Sequence, residues 1–234
     1  MSKICPINNQ KVLYLDCIEC DKKICKKSKN KIVKIVIGID QSYKRTGISI
    51  GVNGELYLIK SLDLSVYKTN TEKRNKLKAI LLRIINNINN NFNNEYNSII
   101  CIIERIRLRS KGFLNIDYIK SIGALNALII DIMYDFSIPV YSVDTRCWKA
   151  QVIGTSKGEI NSYNVPEEKW PTIKWLCNKG FKKNILINMD KSKKTKNTFI
   201  KNGHKYMFDN DAADSAGICM FGFIGDFDKL LLEK

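Results

Sequence analysis

Two spacings of apolar residues organise the chain. Residues 32–39, IVKIVIGI, are β-branched at strand length and end at Asp40. TGISIGV and ELYLIKSL follow, separated by Asn53-Gly54, a two-residue hairpin signal. The spacing then changes to that of a helix: Leu77, Ile80, Leu81, Ile84, Ile85 and Ile88 recur on one face of a segment from Thr71 to about Ile88. An Asn-rich connector, NNINNNFNNEYN, separates it from a fourth strand, SIICIIE, which ends at Glu104. A helix over 116–134, a fifth strand IPVYSV, a helix start capped by Asp144 or Thr145, a helix around 167–178 and a last helix from Asp209 to about Phe223 complete the order β-β-β-α-β-α-β-α-…-α. The prediction is an α/β domain with a five-stranded mixed sheet flanked by helices over residues 31–234. Residues 1–30 are a small Cys-rich appendage.

A formal net charge of +16 on 234 residues implies a polyanionic partner, and nucleic acid is the commonest one in cells. An AT-rich genome would also raise Lys, Ile and Asn, but drift does not place acids at two strand ends. No apolar stretch reaches the ~18 residues of a membrane span, and MSKICPINNQ lacks an apolar signal region. The expectation is a soluble cytoplasmic protein with no membrane partner.

Cys5, Cys17, Cys20 and Cys25 crowd into the first 25 residues, with one CxxC among them. In a reducing compartment this is a candidate four-thiolate zinc site, and a metal would supply the fold that so short a segment lacks. The alternative is a basic leader with incidental thiols. Arg105, Arg107, Arg109 and Lys111 alternate directly after Glu104, so on an extended loop they face one side and suit a phosphate backbone.

Four acids carry the chemistry. Asp40 and Glu104 close apolar strands, where open α/β sheets place ligands. Asp211 and Asp214, in DNDAADSAGICMFGF, are three apart and share a helix face. Four converging carboxylates repel one another unless hard divalent cations occupy the cluster, so magnesium is the implied ion and phosphate the implied substrate.

GIDQSYKRTGISI, CIIERIRLRS and DNDAADSAGI resemble the three acidic motifs of the RuvC-like Holliday junction resolvases of the ribonuclease H-like superfamily, over roughly residues 32–225. Asp40 with Thr46-Gly47 matches the first motif, Glu104 the second, and Asp211 through Asp214 the third. Gln41-Ser42 stands where cellular enzymes often carry Pro-Gly, which is closer to the bacteriophage and mobile-element branch and implies a bacterial cytoplasm. The resemblance implies a homodimeric, structure-selective endodeoxyribonuclease that cuts four-way DNA junctions with two magnesium ions per site, manganese substituting. It implies Asp40 as bridging ligand, Glu104 and Asp211 flanking it, and Asp214 completing the second ion or positioning water. Lys149 matches a lysine that meets the scissile phosphate, and Lys157 is a second candidate on the DNA-binding surface. Forks, flaps and RNA–DNA hybrids are alternative substrates, and a non-catalytic zinc-containing DNA-binding protein is an alternative class. A nucleotide-binding reading of the actin-like kind needs a later glycine-rich phosphate loop, which this sequence lacks, so no nucleotide cofactor is expected.

Overall fold

Alternating burial along two parallel strands decides the layers of this protein. The structure, a computed structural model, describes residues 2–4, 11–13, 32–92, 96–106, 116–189, 198–202, 204–226 and 231–233. The candidate zinc ligands Cys5, Cys17, Cys20 and Cys25, and Arg107, Arg109 and Lys111, lie outside the described residues. Short strands β1 (Ser2–Ile4) and β2 (Lys11–Leu13) pair antiparallel.

The main sheet contains the five expected strands: β3 (Ile32–Asp40), β4 (Arg45–Val52), β5 (Glu55–Asp63), β6 (Tyr96–Glu104) and β7 (Val140–Val143). A sixth short strand, Leu231–Glu233, adds antiparallel to the β7 edge, giving the order Leu231–Glu233, β7, β6, β3, β4, β5. β3, β6 and β7 run parallel; β3, β4 and β5 form an antiparallel meander. Asn53 and Gly54 both take positive φ, 51° and 84°, the backbone that a two-residue hairpin requires.

Helices α1 (Asn70–Phe92) and α2 (Ile116–Asp135) cover one face. There Ile35, Ile37 and Ile39 of β3 and Ile99, Cys101 and Ile103 of β6 pack with Leu77, Leu81, Ile85 and Leu125. The intervening residues, Val36, Ile100 and Ile102, point to the opposite face and pack beneath Ala212, Ala216, Cys219 and Phe221 of α5 (Asn210–Ile224). Because side chains alternate across a strand, Asp40 and Glu104 fall on this second face, under α5. Among the described residues no helix is long and apolar enough to cross a membrane.

Between β7 and α5 the chain makes two further short helices, α3 (Thr145–Trp148) and α4 (Trp170–Asn178). A π-helical turn, Lys149–Ile153, continues α3 and ends at Gly154, where φ is 87°. A separate three-stranded antiparallel sheet follows, ordered β8 (Leu186–Met189), β10 (His204–Phe208), β9 (Thr198–Lys201). The polar, Lys-rich composition of this stretch carries no strand periodicity of its own. Its strands are held instead by a cluster of rings that join Tyr163 and Trp170 to Phe199 and Phe208.

Candidate active site

Close approach of α5 to the sheet assembles the site. Asp40 pairs in register with Gly47 on β4. A methyl group added at Gly47 would lie 1.9 Å from the Asp211 carbonyl oxygen, and one at Gly38 would lie 2.4 Å from the Cys219 backbone nitrogen. Only glycine fits at either position, and two glycines on adjacent strands let the start of α5 rest directly on the backbone beside Asp40. Ser49 and Ser215 join hydroxyls at 2.7 Å across the same interface. Thr46, the neighbour of Gly47, is fully buried and donates to the Ser42 carbonyl at 2.7 Å, closing the turn after Asp40. This is a turn-holding role.

Each acid is set by a local device. β3 and β6 are in register through Ile39 and Ile103, which brings Asp40 beside Glu104. Gln41 clamps this pair of strand ends: its amide donates to the Glu104 carbonyl, and its side-chain oxygen accepts from the Glu104 N–H at 3.2 Å. The Glu104 carboxylate accepts from the Thr145 hydroxyl, at the start of α3. Asp209 caps α5, accepting from the Ala212 N–H at 3.1 Å and from the Ser61 hydroxyl. Asp209 is therefore occupied as a cap, whereas Asp211 and Asp214 extend from the first helical turn toward the strand tips. The helix N-terminus favours negative charge there.

The acids act on one another's charge. Burial pushes the Asp40 carboxyl well above the usual range, and the charges of Asp214, Glu104 and Asp211 push it further. Burial also raises Glu104, opposed by the Thr145 hydrogen bond and reinforced by Asp214. Asp211 is pushed up to about 6, chiefly by burial and then by Asp209. Acids distant in the chain thus sense one another across a common poorly solvated space.

Two lysines line that space. Burial opposes the charge of Lys169, but Asp214, Asp40 and Glu104 together hold its ammonium above the ordinary lysine range. Its Nζ donates to Asp214 Oδ2. Lys149, 7% exposed, stands 4.0 Å from Asp214 Oδ1 and donates to the Glu168 carbonyl at 2.8 Å. Lys149 was expected from the sequence; Lys169 was not, since a lysine before Trp-Pro at a helix start bears no local mark of chemistry. Lys157 is exposed on the loop after Gly154, its backbone N–H donating to the Thr155 hydroxyl at 3.1 Å. Arg105 lies at the end of β6 with its guanidinium 3.5 Å from the Ser142 carbonyl.

Among the described residues, no three His, Cys, Asp or Glu side chains are closed into a metal-binding set. The ammonium of Lys169 supplies the nearest positive charge to the acids. Two features nonetheless fit a hard divalent cation. The donors are all carboxylate oxygens, and Asp214 Oδ1 is buried with no hydrogen-bond partner.

No protein-family model matches this chain, and no curated protein sequence does. Solved structures do. RuvC from Thermus thermophilus matches with a TM-score of 0.48 at 13% identity, covering 85% of this chain and 99% of that one. T. thermophilus RuvC in complex with a Holliday junction substrate matches with a TM-score of 0.50 at 10% identity, covering 86% and 99%. The chain therefore has the RuvC-like, ribonuclease H-like fold. The match spans nearly the whole of the RuvC chain, so the similarity is to a complete domain.

Proposed function

We propose that this protein is a magnesium-dependent, structure-selective endodeoxyribonuclease that cuts four-way DNA junctions, acting as a homodimer on the two opposed strands. What supports the reading is that the register of β3 and β6 sets Asp40 beside Glu104, while Gly47, paired with Asp40, lies against Asp211 of α5. The likeness to RuvC, solved with a junction, supports the choice of substrate.

Asp40, Glu104, Asp211 and Asp214 would hold the ions, and Asp214 Oδ1 offers a lone pair that no protein donor satisfies. When bound, divalent ions supply an activated water and neutralise charge on the phosphate being cleaved. The chain's own contribution is orientation and charge. Gln41 and Thr145 fix Glu104, and the Asp209 cap and Gly47 fix Asp211. Lys169, its side chain about a third exposed, would exchange Asp214 for a substrate phosphate. Lys149 is held more rigidly against the same acid and keeps positive potential at the pocket wall. In the net reaction water adds to phosphorus and one phosphorus–oxygen ester bond breaks, leaving a phosphate monoester and a sugar hydroxyl.

A second reading, a non-catalytic zinc-containing DNA-binding protein, draws on the Lys169–Asp214 pair, in which a lysine already neutralises one of the acids. The separating experiment incubates the purified protein with a synthetic four-way junction, a fork, a flap, an RNA–DNA hybrid and a linear duplex in magnesium, and maps the nicks. Paired symmetric nicks in the junction support resolution. Nicks confined to another branched substrate reassign the specificity and keep the chemistry. Tight junction binding without nicks in magnesium or manganese supports the second reading.

A further inference from the structure

An aromatic strip leads away from the candidate active site, and the acidic motifs do not account for it. It starts at Trp170, the residue after Lys169. Trp170 stacks on Tyr163 with centroids 5.1 Å apart, and Tyr163 meets the edge of Phe199 at 5.0 Å. Phe199 stacks on Tyr206 at 5.9 Å, and Tyr206 lies 6.4 Å from His204. Tyr163, Trp170, Phe199 and Tyr206 are all half-buried, and His204 is exposed. Phe208, 2% exposed, already gives this small sheet a core. A cluster serving only that core would hide its rings; this one carries part-exposed rings outward along β10 to the sheet's end.

Charge accompanies the rings. Lys182 Nζ sits 6.0 Å above Tyr163, and Lys201 pairs in register with His204. Aromatic faces interleaved with cations are the composition that holds unpaired nucleotides, since every base has a π-face and every linkage a negative charge. The strip is tied to the acids at its inner end: Lys169, next to Trp170, touches Asp214, and Phe208, in ring contact with Trp170, leads into the Asp209 cap of α5.

We propose that the Trp170–Tyr163–Phe199–Tyr206–His204 strip is a stacking platform for unpaired nucleotides at the branch point of the substrate. The choice of branched DNA rests on the proposed function; the platform itself predicts preference for single-stranded or opened DNA over duplex. A base held at the Trp170 end would leave its neighbouring phosphates near Lys169, which links branch recognition to the cleavage site.

The test measures binding by the full chain without divalent ions, so that cleavage is not read. Probes are a 12-nucleotide single strand, a four-way junction and a linear duplex. Tyr206→Leu and His204→Ala are expected to weaken single-strand binding about 10-fold, from the usual contribution of one stacked base, and to leave duplex binding within about twofold. Tyr206→Phe should bind as wild type. Wild-type single-strand affinity in both His204→Ala and a folded Tyr206→Leu would overturn the proposal, as would an equal loss on duplex. Should Tyr206→Leu fail to fold, photocrosslinking of wild type with a 5-iododeoxyuridine single strand decides: adducts on the strip support the platform, and adducts confined elsewhere contradict it. A protein that binds single strands through these rings yet never cuts branched DNA would keep the platform and refute the nuclease reading. Junction cleavage and binding untouched by the strip variants would do the reverse.

Discussion

The ammonium of Lys169 rests on one oxygen of Asp214 while the other oxygen of that carboxylate, buried, accepts no hydrogen bond. This pair joins the start of α4 to the N-terminal half of α5. Asp214 is 2% exposed, and two ammonium groups face it, Lys169 on Oδ2 and Lys149 4.0 Å from Oδ1.

Replacing Lys169 should therefore cost stability and favour divalent ions. Removing one partner of a buried pair leaves an uncompensated charge; with Lys169 only partly buried, Lys169→Met is expected to lose about 1–3 kcal/mol without divalent ions. Magnesium should then raise the melting temperature more in the variant than in wild type, while turnover on a junction falls. Calorimetry with and without magnesium checks both, and equal magnesium responses in the two proteins would contradict the placeholder role of Lys169.

The approach of α5 can be tested with two glycines. Gly47→Ala drives a methyl group into the Asp211 carbonyl and is expected to destabilise by about 1–3 kcal/mol, as overpacking does, and to impair cleavage by displacing the acid-bearing turn. Gly123→Ala, in α2 with open space around the new methyl, should gain about 0.5–1 kcal/mol and leave cleavage unchanged. Chemical denaturation of the pair checks the contrast.

Raised carboxyls predict the sign of the pH response in metal-free protein. Asp40, Glu104 and Asp211, the last at about 6, all bind protons more tightly when folded than in the unfolded chain. Between pH ~4 and ~6 the native state holds the extra protons, so the cluster's contribution to stability falls as pH rises through that window and is greatest below it. Asp211→Asn removes part of the penalty. It should be more stable than wild type at pH 7.5, with the gap closing toward pH 4. A gap that widens at low pH would contradict the shared poorly solvated space.

Much of this arrangement was legible in the residues. Period-two alternation with β-branched runs located β3 to β7, and the same parity puts Asp40 and Glu104 on one face, because each ends a strand whose alternate residues meet α5. Asn53-Gly54 marked its hairpin through the positive φ it must adopt. The hidden parts depend on contacts between distant segments. Leu231–Glu233 is too short to be periodic and becomes a strand only by pairing with β7. The β8–β10 sheet lies in a Lys-rich stretch whose order comes from Tyr163 and Trp170, far upstream of the Phe199 and Phe208 rings that they meet. Lys169 has no motif; its significance comes from where α4 begins relative to Asp214.

The central claim, that four carboxylates from separate elements act as one catalytic unit, is tested most directly by the magnesium-dependent cleavage rate of a four-way junction by Asp40→Asn, Glu104→Gln, Asp211→Asn and Asp214→Asn, with junction binding measured in parallel. The account predicts a loss of at least ~100-fold in rate for each variant, on the scale of removing a charge-stabilising catalytic group, with junction binding retained. Wild-type cleavage by Asp40→Asn or Asp214→Asn would contradict it.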